Sequence, residues 1–151
     1  MLRDLARFYP MVFVILFAFA AVSTTTTEAA GAERPKITNF KISPNEVTDS
    51  SVVTFSFDFE NLAGGMKDAT FSLEYEGSIS MDRRSSRLVG RLERAQERKW
   101  SDSDATSGHF RARARYRPRG EPPYTTTYFV KICAGNGQCS KEASADIDYV
   151  E

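Results

Sequence analysis

Four arginines alternate with alanine and tyrosine in one short segment, at Arg111, Arg113, Arg115 and Arg117. Because successive side chains of a β-strand point to opposite faces, this spacing places all four guanidinium groups on one face, about 7 Å apart. Guanidinium groups form paired hydrogen bonds with phosphate, sulfate and carboxylate groups. The segment is therefore a candidate binding site for an anionic partner.

An alternative interpretation treats these arginines as an ordinary solvated face, which is the usual role of a charge run. If Ser51–Glu60 forms the neighbouring strand, Asp58 and Glu60 lie on the same outer face and would neutralise two of the arginines. The surrounding region, residues 82–119, carries 12 basic and 5 acidic side chains, although the formal net charge of the chain is +0. The other arginines of this region are Arg83, Arg84, Arg87, Arg91, Arg94, Arg98 and Arg119.

A Gly-Asn-Gly turn separates Cys133 from Cys139. A three-residue loop at 135–137 would place these cysteines directly opposite each other, at a separation that a disulfide can span. A metal pair is the alternative, but two thiolates and the single histidine cannot complete a structural zinc site. The spacing therefore predicts a disulfide between Cys133 and Cys139, and no metal.

Direct pairing of the cysteines conflicts with the pattern of the last strand. It would place Ile147 and Tyr149 on the outer face, whereas their apolar character favours the inner face. An extra residue near Ser140–Glu142 would form a β-bulge and restore the inward parity.

The remaining polar residues form no recognisable catalytic set. His109 is the single histidine, and no serine or cysteine has a spacing that suggests a catalytic triad with it. The pairs Asp102/Asp104 and Asp146/Asp148 lack the other oxygen ligands that calcium requires. We therefore predict no catalytic residues and no cofactor.

A hydrolase that uses paired carboxylates, such as Glu74 and Glu76, is the less favoured alternative. Two carboxylates can perform glycoside hydrolysis when they face each other across a substrate. Here they occupy alternating, solvent-facing positions of one strand, and the pattern implies no pocket.

The strand that must position these residues is Ser51–Glu60. Its inner parity carries Val53, Phe55, Phe57 and Phe59, and burying each is worth roughly 1.5–3 kcal/mol. The 87–93 segment also fits a helix, with Leu88, Leu92 and Ala95 on one face, but we favour a strand because its flanks are β. Further strands are predicted at 36–42, 68–76 with a short continuation at 78–81, 87–93, 110–117, 124–133 and 140–150.

The N-terminal region has the pattern of a secretory signal peptide and spacer, residues 1–32. Arg3 and Arg7 precede an apolar run at Met11–Val22, and small residues end at Ala32. The run is shorter than the ~20 residues of a membrane-spanning helix, so no transmembrane span is expected in the mature chain. Residues 33–151 are predicted to form one exported domain, periplasmic or extracellular.

Three segments carry a resemblance to a known family: Pro35–Pro44, the strand Ser51–Glu60 and the closing hairpin Tyr128–Asn136. Together they resemble a bacterial immunoglobulin-like, or fibronectin III-like, domain. The resemblance implies an all-β, antiparallel sandwich of about seven strands, used for adhesion, spacing or ligand display. It implies no catalytic residues.

These observations favour an exported immunoglobulin-like binding, interaction or structural module that is not an enzyme. Its partner would be a protein or an anionic polysaccharide or lipid surface. The alternative is an envelope-associated protein that binds an anionic polymer through the arginines. Nucleic acid is disfavoured because the chain is predicted to be exported and no basic and aromatic side chains interleave on one face.

Overall fold

The computed structural model describes residues 33–78 and 80–151. The predicted signal peptide and spacer lie outside these residues. Two β-sheets pack face to face around one hydrophobic core, which confirms the predicted all-β sandwich. The elements are β1 (Lys36–Ser43), β2 (Glu46–Val47), β3 (Val52–Glu60), a 3-10 turn (Met66–Asp68), β4 (Thr70–Gly77), β5 (Ser80–Ser85), α1 (Val89–Trp100), β6 (Gly108–Arg115), β7 (Tyr124–Cys133) and β8 (Ala143–Tyr149).

The described strands divide into a three-stranded sheet of order β1-β3-β6 and a five-stranded sheet of order β2-β8-β7-β4-β5. All neighbours are antiparallel except β2 and β8, which pair in parallel. The predicted pairing of the arginine strand with Ser51–Glu60 is confirmed, since β6 lies beside β3.

The inner face of β3 forms the centre of the core, as its parity predicts. Val53, Phe55, Phe57 and Phe59 are buried and face the apolar side chains of β4, β7 and β8. Phe57 stacks on Phe110 of the neighbouring strand with ring centroids 4.9 Å apart. Because three aromatic rings and a valine leave water here, this strand contributes most to the burial that stabilises the sandwich.

The closing hairpin contains both the predicted disulfide and the predicted bulge. Cys133 and Cys139 pair across the turn and are joined by a disulfide, with their Cα atoms 4.0 Å apart. Further along, Val130 pairs with Ala143 instead of Glu142, the residue that the pairing of the two cysteines would place there. The returning chain therefore contains one extra residue, which is the gain that a β-bulge produces. The gain lies at 140–142 and turns the apolar side chains of β8 inward.

The predicted strand at 87–93 is wrong, because most of this segment belongs to α1, Val89–Trp100. Leu92, Ala95 and Gln96 recur at helical spacing and are buried on one face against the sandwich. The helix bridges the crossover from the five-stranded sheet to the three-stranded sheet.

A buried glutamine holds the helix against the fold. The Gln96 side-chain amide donates hydrogen bonds to the carbonyl oxygens of Met66 (2.5 Å) and Ala69 (2.8 Å). At the end of α1, Trp100 packs edge-on against Phe59, with ring centroids 5.7 Å apart. Neither α1 nor any other helix in the described residues is long and apolar enough to cross a membrane.

The predicted continuation of the third strand at 78–81 is also wrong. The chain turns at Ser78, and β5 runs back along β4 with Ser80 opposite Gly77. Because the predicted strand at 87–93 is replaced by α1, this hairpin strand and the two-residue β2 bring the described strands to eight instead of about seven.

Replacing Phe57 with Ala should destabilise the domain by about 3–5 kcal/mol, because it leaves a cavity in the core. Urea unfolding followed by tryptophan fluorescence measures the loss. The control is Val52→Ala on the same strand, where the side chain is 50% exposed and the cost should stay below about 1 kcal/mol. A loss at Phe57 as small as that of the control would contradict the assigned core.

A non-reduced digest of the protein should contain one bridge that joins Cys133 and Cys139 within a chain. The double change Cys133→Ala/Cys139→Ala should cost less than the ~2–4 kcal/mol of a typical disulfide, because the bridge closes a short loop. Mass spectrometry and urea unfolding measure the two effects. Two free thiols, or a bridge between two chains, would refute the hairpin pairing.

Candidate anion-binding surface

The outer side of the three-stranded sheet carries the predicted arginines. Phe110, Ala112 and Ala114 of β6 are buried in the core, so Arg111 and Arg113, together with Arg115, point outward and are exposed. We call this outer side the arginine face. Arg117 lies just beyond the end of β6 and is exposed as well.

The neighbouring strands extend the arginine face with small polar side chains and one further cation. Across β1, β3 and β6, Lys41, Ser56 and Arg111 share one row of the sheet. In the next rows Thr54 lies beside Arg113 and Val52 beside Arg115. In the first of these rows a basic residue therefore stands at each side of the sheet, with the buried Ser56 between them.

Asp58 and Glu60 do not neutralise the arginines, so the alternative interpretation based on these two acids is wrong. Asp58 lies opposite His109, whose Nδ1 hydrogen-bonds Asp58 Oδ1 at 2.7 Å. Asn39 donates a second hydrogen bond to Asp58 Oδ2 at 2.7 Å. Glu60 forms an ion pair with Lys36 at 3.7 Å. The register explains this outcome, because Asp58 lies opposite His109 and Glu60 lies beyond it, both past the first arginine of β6, Arg111.

None of the ion pairs found among residues 33–78 and 80–151 includes Arg111, Arg113, Arg115 or Arg117. None of these four guanidinium groups therefore has a direct acidic partner within this part of the chain. Guanidinium groups spaced about 7 Å apart along one strand carry the same charge and repel each other at low ionic strength. An anion that contacts two of them would relieve that repulsion.

His109 lies on the same face, where its side chain contacts the neighbouring carboxylate of Asp58. The His109 side chain is exposed, and its Nδ1 forms a hydrogen bond with the Asp58 carboxylate. The hydrogen bonds from Asn39 and His109 hold the pKa of Asp58 below its usual range. These contacts make His109 a partner of a surface carboxylate at the end of the arginine face.

The upstream arginines fall into two groups that the sequence does not distinguish. Arg83 on β5 pairs with Glu74 (2.6 Å) and Glu142, and its guanidinium lies 3.9 Å from the centre of the Phe129 ring. In contrast, Arg87 and Arg91 line a pocket together with residues from the end of β6. We call this the arginine pocket.

Four of the six carboxylates considered for catalysis or metal binding have separate local partners. Glu74 is bound by Arg83, and Asp104 pairs with Lys67. Asp146 and Asp148 each accept a hydrogen bond from a threonine hydroxyl of β7 at 2.7 Å. Within the described ranges, no three acidic, histidine or cysteine side chains gather as a metal-binding group.

No family model matches the chain, and a comparison with curated protein sequences finds no match. Among solved structures, a Niemann-Pick type C2 protein from the Japanese carpenter ant is similar over 80% of this chain and 96% of that chain, at 8% identity and a TM-score of 0.52. This likeness shows a shared β-sandwich fold and nothing about activity.

Two further structures are more distant. The Pseudomonas fluorescens alkylpurine DNA glycosylase AlkC, bound to DNA with an abasic site analogue, matches 81% of this chain at 18% identity and a TM-score of 0.47. The chain spans only 32% of that protein. The CARDB domain of a Pyrococcus furiosus protein, in complex with di-metal ions, matches 78% of this chain and 96% of that chain at 13% identity and a TM-score of 0.35.

Replacing Asp58 with Asn should remove a pH-dependent part of the folding stability. Because the folded pKa of Asp58 is lowered, its ionised form stabilises the fold above the unfolded pKa of about 3.9. This contribution is lost as the pH falls below that value toward the folded pKa. Urea midpoints measured from about pH 5 to about pH 2 should therefore fall more steeply for the wild type than for Asp58→Asn.

The matched control is Glu76→Gln on β4, which removes a carboxylate that has no ion pair among the described residues. The slope of Asp58→Asn should be shallower than that of this control, because Asn39 and His109 hold the carboxylate that Asp58→Asn removes. Equal slopes for the wild type and Asp58→Asn would show that Asn39 and His109 do not stabilise the ionised carboxylate.

Proposed function

We propose that this chain is an exported, immunoglobulin-like binding module without a catalytic role, and that the arginine face binds an anionic polysaccharide. The observation that carries the proposal is the set of partners around the arginines. Arg111 and Arg113 have no acidic partner among the described residues, while Asp58 and Glu60 are bound by other side chains.

The strand order supports the immunoglobulin-like assignment. In the seven-stranded form of such domains the first, second, fourth and fifth strands form one sheet, and the third, sixth and seventh form the other. The sheets β1-β3-β6 and β8-β7-β4 follow this division if β2 is an addition, while the fourth strand, β5, pairs with β4 in the second sheet instead of joining the first. The start of β7 supports the same assignment, because the Tyr124 hydroxyl accepts a hydrogen bond from the Arg119 backbone N–H at 2.5 Å. Immunoglobulin-like domains have an equivalent tyrosine corner.

Export is supported by two separate features of the chain. The pattern of residues 1–32 is that of a secretory signal peptide. The disulfide between Cys133 and Cys139 suits an oxidising compartment such as the periplasm or the extracellular space.

The geometry of the arginine face favours an extended polyanion over a compact ligand. The face is the outer side of a sheet, and its arginines follow one strand instead of surrounding a cavity. Successive guanidinium groups can therefore contact successive sulfate, phosphate or carboxylate groups of a chain.

Changing Arg111 and Arg113 together to Ser should lower the salt concentration at which the protein elutes from heparin. Heparin serves as the probe because it is a sulfated polysaccharide. Binding should weaken steeply with salt for the wild type, because the screening length falls to ~8 Å near physiological ionic strength. Circular dichroism should show that the variant keeps its fold, since both side chains are exposed.

The matched control removes two positive charges from the other side of the molecule, by the change Lys131→Ser/Lys141→Ser. If retention depends on the arginine face, the control should elute close to the wild type. Equal retention of all three proteins, or equal losses in both variants, would eliminate the proposed role of the arginine face.

A further inference from the structure

The arginine pocket is a concave site at the place where the first turn of α1 meets the end of β6. It has a volume of about 450 Å³, within the ~300–1,000 Å³ range of small-molecule sites. No acidic residue lines it. Its five cationic lining residues are Arg87, Arg91, Arg115, Arg117 and Arg119.

The inner wall of the pocket is aromatic and rigid. Tyr75 and Tyr128 line it and are only 8% and 2% exposed, because both belong to the core. Burial raises the pKa of Tyr128 to about 12, so its phenol stays neutral at physiological pH. A ligand in the pocket would therefore meet two tyrosine rings, of which the Tyr128 phenol is neutral, together with the guanidinium groups that line it.

Arg119 is held in place by several contacts. Its guanidinium lies 3.7 Å from the centre of the Tyr75 ring and donates a hydrogen bond to the Tyr75 hydroxyl. Its backbone N–H is bound by the Tyr124 hydroxyl. Because this arginine is fixed before any ligand arrives, a ligand that binds it loses less freedom on association.

The charge of the pocket is not compensated within the described part of the chain. None of the five arginines takes part in an ion pair there. Arg83, which lies on the strand just before the pocket, is in contrast paired with Glu74 and Glu142. Like charges around a partly enclosed space raise the local potential and attract anions.

We propose that the arginine pocket binds a compact polyanion that carries two or more phosphate or sulfate groups. Several guanidinium groups around one cavity match several charged groups on one ligand, and each can form paired hydrogen bonds. The inference rests on the proposed function for the charge of the ligand. The inference goes beyond the proposed function by assigning a second, concave site that a compact ligand can occupy.

Isothermal titration of the full chain with inorganic tripolyphosphate tests the pocket. The double change Arg87→Gln/Arg91→Gln should weaken binding by about tenfold or more, since charge-assisted hydrogen bonds are lost. The matched control, Arg94→Gln/Arg98→Gln, removes the same charge from the same helix outside the pocket. Its affinity should stay within about twofold of the wild type, because long-range effects on exposed charges are screened.

Two outcomes would overturn the pocket assignment: no saturable binding of tripolyphosphate, or equal losses in the control and pocket variants. The variant Arg111→Ser/Arg113→Ser separates the two proposals, because it should lose heparin retention and keep its affinity for tripolyphosphate. If heparin retention depends on the arginine face but tripolyphosphate does not bind, the proposed function stands and the pocket proposal fails.

A vesicle experiment identifies the source of the ligand. If tripolyphosphate binding depends on the pocket, sedimentation with vesicles that carry a bisphosphorylated lipid headgroup, lost in Arg87→Gln/Arg91→Gln, would assign the ligand to a lipid surface. Pocket-dependent binding of tripolyphosphate without sedimentation would support the pocket and assign its ligand to a soluble anion. If neither probe depends on Arg87 and Arg91, the proposal is overturned.

Discussion

The stacking of Phe57 on Phe110 fixes the positions of the charged groups on the three-stranded sheet. The two rings lie with centroids 4.9 Å apart and belong to directly paired residues of β3 and β6. Because strand side chains alternate, a slip by one residue would turn Arg111 and Arg113 into the core. The free energy gained by burying the aromatic rings therefore also holds the arginines in water.

The same register decides which acids reach which bases. It places Asp58 opposite His109 and leaves Glu60 beside Lys36, so the two carboxylates nearest to the arginines are already bound. Arg83 shows the other arrangement, with two carboxylates and an aromatic ring around one guanidinium. Uncompensated charge is thus a property of particular arginines in this protein and not of its arginines in general.

The alternation of apolar and polar residues was sufficient to predict the strands that bury one regular face, such as β3 and β7. It also predicted the bulge that turns the apolar side chains of β8 inward. It was insufficient at 87–93, because Leu88, Gly90 and Leu92 fit a strand as well as a helix over so short a distance. The burial of Gln96 against carbonyl groups of a distant turn settled the choice, and no local pattern contains that contact. The arginine pocket could not be predicted for the same reason, since its lining residues come from separate segments that the crossover brings together.

The helix beside β6 also bears on how this sandwich avoids self-association. The outermost strand of a sheet presents unpaired backbone groups to which another chain can add a strand. At β6 the helix occupies that place, and Lys99 donates to the backbone carbonyl of His109 at 3.3 Å. β1 is interrupted by a bulge at Asn39, β2 has two residues, and β5 carries Arg83 and Arg84. In the part of the chain that the structure describes, the helix, the bulge, the short strand and the arginines are thus features that disfavour strand addition at the sheet borders.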